Sequence, residues 1–184
     1  MAHITLGNDL PGISGLFHYR PQTARPMSEL AEVLLRGDNS LSRGERELIA
    51  AYVSSRNACR FCFSSHAAFA EAQLPEGTAP VEEICADPAA ASISDKMKAL
   101  LDIAGAVQQG GKAVTDGQVA AARAVGASDV EIHDAILIAA AFCMFNRYVD
   151  GLAAFTPDDP AAYKVMADRI VENGYLRALP EARG

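Results

Sequence analysis

Apolar residues recur at three- and four-residue spacing along most of the chain, as at Ile49, Tyr52 and Val53, or at Ile132, Ile136, Ala139 and Ala140. That is the period of a helix with one buried face. Strand-like alternation is confined to a short start, His3-Ile-Thr-Leu6. Ser42-x-x-Glu45, Thr115-x-x-Gln118 and Ser128-x-x-Glu131 each read as a capping box, in which side chains satisfy the free N–H groups of a helix start. The pattern predicts helices over 26–36, 42–56, 59–74, 94–109, 115–125, 128–155 and 160–173, hence an all-α fold. The long helix at 128–155 is expected to kink or break around Phe142 to Asn146.

Turn chemistry falls between these runs, at Pro11-Gly12, Gly37-Asp38-Asn39, Pro75-Glu-Gly77, Gly110-Gly111 and Pro157-Asp-Asp-Pro160. The segment from Leu74 to Ser92, rich in Pro, Ala and acidic residues, reads as a linker. The expected organisation is a single domain over 1–184. Residues 11–74 form one half, 94–155 a degenerate second half, and 156–184 a C-terminal helix and tail. A shift of 86 residues lays Ala67-Ala-Phe69 on Ala153-Ala-Phe155. It also sets His133, Phe145, Tyr148 and Leu152 where the first copy has Glu47, Cys59, Cys62 and His66. On that register, 42–74 and 128–155 should superpose as helical pairs, with Phe145 and Tyr148 in the cysteines' places.

Chemistry concentrates in Glu47-Leu-Ile-Ala-Ala-Tyr-Val-Ser-Ser-Arg-Asn-Ala-Cys59-Arg-Phe-Cys62-Phe-Ser-Ser-His66. On a helix, Cys59, Cys62 and His66 line one stripe, with His66 one turn beyond Cys62. Glu47 does not align with Cys59 on one straight helix. If the chain turns at Arg56-Asn-Ala58 and doubles back, Glu47 and His66 both lie about 14–15 Å from the bend, at the same level. A carboxylate beside an imidazole holds its tautomer and raises its basicity. Only a thiolate attacks peroxide or disulfide, and a helix start, Arg60 and a proton-accepting His66 all favour one. A sulfenic acid formed there is within reach of a second cysteine three residues away.

The same residues admit other readings. Cys59, Cys62 and His66, completed by Cys85 or Glu47, form a zinc ligand set, although no second C-x-x-C or H-x3-H exists to support it. Analogy with thioredoxin makes Cys59 the nucleophile, nearer the helix start, whereas His66 one turn away favours Cys62. Asn146-Arg147, inside an apolar run, needs polar partners if buried and reads as an interface or pocket wall.

The E-x11-C-x2-C-x3-H pattern resembles the active-site signature of the AhpD-like alkylhydroperoxidases, within the carboxymuconolactone decarboxylase superfamily. Pro11-Gly-Ile, Leu30-Ala-Glu-Val-Leu-Leu-Arg36, Ser42-x-Gly-Glu-Arg-Glu-Leu-Ile-Ala-Ala51 and Phe145-Asn-Arg-Tyr-Val-Asp-Gly151 resemble the subgroup called peroxidase-related proteins. The resemblance implies an AhpD-like fold of two related helical units. It makes Cys62 the peroxide-attacking thiol, Cys59 the resolving thiol, and Glu47 and His66 a proton relay. It also implies a homo-oligomer, trimer or hexamer. The sequence departs from the best-known members at Phe61, where they carry a second histidine between the cysteines.

Charge and length narrow the field further. The 184 residues carry a net charge of −7, which argues against nucleic acid or an anionic membrane as partner. The start lacks a basic segment followed by an apolar run, and the most apolar later stretch, Ala135 to Phe145, is too short to span a bilayer. A cytoplasmic location is the expectation, in which a C-x-x-C serves redox or metal chemistry rather than a structural disulfide. No glycine cluster for a nucleotide or flavin is apparent, and no organic cofactor or metal is expected. Three functions compete: a hydroperoxide reductase turned over by an external thiol donor, a thiol–disulfide adaptor serving a peroxiredoxin, and a non-redox lactone decarboxylase-like or binding protein.

Overall fold

The computed structural model describes residues 2–176. Among these residues nine α-helices follow one another and there is no strand. They are α1 (Gly12–Tyr19), α2 (Pro21–Arg36), α3 (Arg43–Arg56), α4 (Arg60–Glu71), α5 (Val81–Ala86), α6 (Asp95–Gln109), α7 (Asp116–Ala124), α8 (Asp129–Gly151) and α9 (Pro160–Asn173), with a 3₁₀ turn at Gly111–Ala113. All three expected capping boxes form, at Ser42/Glu45, Thr115/Gln118 and Ser128/Glu131.

The centre of the fold is α3, which packs against α2, α4, α5, α6 and α8. Every residue from Arg46 to Ser54 is buried, as in a helix surrounded on all sides. Leu48, Ile49 and Val53 meet Leu100, Leu101, Ile138 and Phe142 in the main core. This placement carries two charged side chains inward. Arg46 is accommodated by donating to Leu34 O and Gly37 O at the end of α2, which leaves Glu47 to find partners elsewhere.

Glu131 ties the pieces of the fold together. It accepts from Ser128 N (2.7 Å) at the start of α8, from Lys96 Nζ (2.7 Å) on α6 and from Ser40 Oγ (2.9 Å) before α3. Burial alone pushes its carboxyl up, but the donors from Lys96, Ser128 and Ser40 outweigh it and hold the group at about 2. A carboxyl lowered in the folded state stabilises above the ordinary carboxylate range and loses that contribution as pH falls through its folded value. Glu131→Gln should therefore cost on the order of 3 kcal/mol at neutral pH. The deficit should vanish near pH 2, a comparison that urea titrations at the two pH values make directly.

Several expectations need correction. The N-terminal segment holds α1, which its Gly- and Ser-bearing sequence did not announce, and no strand forms at its start. The second helix begins at Pro21 rather than at 26, with Pro26 inside it. The expected linker contains α5, capped by neither Ser nor Thr. The long helix is continuous from Asp129 to Gly151, with no break at Phe142 to Asn146. Asn146 is buried without disrupting it, because its amide donates to Ser54 Oγ and accepts from Asn57. Residues 128–155 are thus one helix and a short exit, where 42–74 is a hairpin, so the 86-residue register fails. By length and composition α8 is apolar enough to cross a membrane; here it packs on α3 and α6 with Ile138, Ala139 and Phe142 in the core. The last eight residues of the expected tail lie outside the described residues.

Candidate active site

Two helices joined by a tight turn carry the cysteines. At the end of α3, Cys59 N donates to Ser54 O and Ala58 N to Ser55 O, the paired bonds of a Schellman motif. Ala58 takes the left-handed position (φ 55°) that glycine usually fills. Cys59 then serves as N-cap of α4 with extended backbone, so the helix starts at Arg60 and Cys62 sits in its first turn. The expected helix over 59–74 is corrected accordingly: Cys59 stands just outside the helix.

The hairpin brings Glu47 and His66 together as the rise arithmetic requires. His66 Nδ1 lies 2.7 Å from Glu47 Oε2, and the carboxylate is 1% exposed. The imidazole is boxed by aromatic rings. Phe142 and Phe69 present edges at 4.5 and 5.1 Å, and Tyr175 stacks at 6.5 Å with planes 15° apart. With Nδ1 engaged, Nε2 is the ring nitrogen left for chemistry.

Cys59 is fully buried and Cys62 nearly so, and both are free thiols. Hydrogen bonding to Cys62, then burial, push the Cys59 thiol far above the ordinary range, and Asp150 adds to the effect. These causes favour the protonated form of Cys59. Arg60 does not reach the sulfurs: it points outward and pairs with Asp158 at 2.7 Å. Its expected help to a thiolate is therefore removed, leaving the helix start and His66.

Cys62 and His66 line a pocket of about 60 Å³ whose other walls include Ile13 and Phe17 of α1, Met27 of α2, Phe142 and Phe145 of α8, and Tyr175. The lining is largely apolar, with room for a few water-sized groups. Phe61, at the family's histidine position, is a wall of this pocket and packs with Leu16, Val149 and Tyr163. A Cβ at Gly12, which also adopts φ 49°, would run into the Phe61 ring, so glycine is required there twice over.

Sequence reasoning missed Tyr175. Its hydroxyl donates to Glu47 Oε1 at 2.6 Å, and burial followed by the Glu47 charge pushes the phenol well above its ordinary range. No local motif marks it, since its partner is 128 positions away. His133 is exposed and sits on Asp134. Cys85 belongs to the main core, apart from the cysteine pair. Among the described residues no three His, Cys, Asp or Glu side chains converge as a metal site.

The carboxymuconolactone decarboxylase family model matches residues 21–91 and again 74–157, so the two related units have a family basis even though the 86-residue register does not. No curated protein sequence matches the chain. Among solved structures, one from Ralstonia eutropha is described as an alkylhydroperoxidase AhpD core, an uncharacterized peroxidase-related protein. It is 24% identical with a TM-score of 0.76, over 86% of this chain and 81% of that one. An uncharacterized peroxidase-related protein from a Silicibacter species is 23% identical with a TM-score of 0.73, over 84% and 78%. At these identities the likeness establishes the all-α, AhpD-like fold.

Proposed function

The chain belongs to the carboxymuconolactone decarboxylase family, and from that footing we propose that it reduces hydroperoxides with Cys62 and Cys59 and is returned to the dithiol by an external thiol donor. One observation carries the reading: Cys62 and His66 share a small apolar pocket, with His66 backed by buried Glu47 and Cys59 beside Cys62. Decarboxylation of a lactone, the reaction in the family's name, has no use for two adjacent thiols.

His66 takes the Cys62 proton, and the thiolate attacks one peroxide oxygen. The O–O bond breaks, giving a Cys62 sulfenic acid and an alkoxide that recovers the proton from His66 as an alcohol. The Cys59 thiol, held protonated until then, attacks the sulfenic sulfur; water leaves and the Cys59–Cys62 disulfide forms. Two equivalents of donor thiol reduce it by exchange and depart as their own disulfide. A reducing cytoplasm would keep the pair as thiols between turnovers.

Stopped-flow mixing of the reduced protein with a small hydroperoxide, and separately with a disulfide-form peroxiredoxin, separates the peroxidase from the adaptor. Rapid loss of two thiols to peroxide, located by mass spectrometry to Cys59 and Cys62, is the expected result. A fast reaction with the disulfide alone would transfer the function to the adaptor, and first oxidation of Cys85 or Cys143 would overturn the assignment of the pair.

A further inference from the structure

α9 packs on α4, and polar bonds fasten its C-terminal end to α2. Arg36 Nη1 donates to Ile170 O (2.9 Å), which also accepts from Gly174 N, and to Val171 O (3.3 Å) in the last turn of the helix. Glu32 Oε2 accepts from Tyr175 N at 2.7 Å. Between them Gly174 turns the chain at φ 72°, where a Cβ would stand 2.7 Å from Glu32 Oε2 and 3.0 Å from Arg36 Nε. Everything about this clasp directs one group, the Tyr175 hydroxyl, onto Glu47 Oε1, while its ring stacks on His66 and closes a wall of the Cys62 pocket.

We propose that Tyr175 is a positioning residue of the proton relay, set in place by the Glu32–Arg36 clasp: by occupying Glu47 Oε1 it leaves only Oε2 to accept from His66, which fixes the imidazole with Nδ1–H toward Glu47 and Nε2 toward the pocket. The inference rests on the relay reading above and adds a member to it. A buried carboxylate with a single donor is poorly satisfied and competes with the imidazole for a proton. A second donor keeps it charged and acceptor-only, the state that an imidazole-orienting partner needs. Tyr175 thereby holds the Glu47–His66 hydrogen bond in one arrangement, with the proton on Nδ1 and Nε2 free to accept.

The test reads His66 directly and needs no turnover. In the full-length reduced protein, NMR spectra of the His66 imidazole carbon-bound protons and ring nitrogens should show the Nδ1–H tautomer. Tyr175→Phe, which keeps the ring and deletes the hydroxyl, should mix the Nδ1–H and Nε2–H tautomers, with the melting temperature little changed. Gly174→Ala keeps the hydroxyl but collides with the clasp, and should mix the tautomers in the same way. His66→Ala assigns the resonance. An unchanged tautomer in folded Tyr175→Phe would overturn the proposal, as would a tautomer change in Gly174→Ala alone, which would assign the effect to the clasp rather than to the phenol. Peroxide kinetics do not enter the readout, so a wild-type protein inert to hydroperoxide would sink the proposed function and leave this result standing.

Discussion

Cys62→Ser should abolish the reaction with hydroperoxide, while Cys59→Ser should still consume one equivalent and stop at a sulfenic acid. The asymmetry follows from placement. Cys62 lies in the first turn of α4 and lines the pocket with His66, where a helix start favours an anion. Cys59 is sealed at the N-cap and held protonated by Cys62 and by burial. A serine at 62 provides no thiolate, so the rate should fall to background at every pH. A serine at 59 leaves the attacking sulfur intact but removes the group that resolves it; dimedone labelling should then find a single adduct, at Cys62. A Cys59→Ser protein that is inert, with Cys62→Ser still reactive, would reverse the two roles and favour the thioredoxin-like order.

His66→Ala carries the next largest effect. Its Nδ1 rests on Glu47 at 2.7 Å, so removing the ring deletes both the proton acceptor and the path behind it. General-base assistance is typically worth about 10²–10⁴-fold, and a loss of that size is expected at neutral pH. Glu47→Gln should lose less, because it acts one step removed. Both deficits should narrow as pH rises, since hydroxide then ionises the thiol unaided. Circular dichroism and melting temperature control for unfolding, which matters for a buried group such as Glu47. A folded His66→Ala protein with its full neutral-pH rate would end the relay and leave the helix start as the sole activator.

How much of this was legible beforehand depended on sequence distance. The capping boxes are local, three residues from cap to partner, and all three formed. Glu47 and His66 are 19 positions apart, yet one turn and a fixed rise per residue suffice to bring them level. The hairpin turn was readable even though its left-handed residue is alanine. Illegible features were those settled by neighbours far along the chain. A kink or break was expected around Phe142 to Asn146, but α8 runs through, and Ser54 and Asn57 supply what Asn146 needs. Arg60 looked like a thiolate partner, but Asp158 claims it. Pro26 looked like a helix start, although Pro21, at the first position, takes that role. The repeat register rested on three small or apolar residues, too few to fix it against the continuous α8.

The order in which the chain is made bears on the link between Tyr175 and Glu47, 128 positions apart. Chains emerge from the ribosome N-terminus first, so the cysteine hairpin and its Glu47–His66 pair are complete while the clasped turn at Gly174 is still unsynthesised. A nascent chain thus passes through a stage in which its thiols are present and the far wall of their pocket is missing. The last wall of the pocket arrives only with the turn after α9, so a chain cut short before Gly174 would remain at that stage.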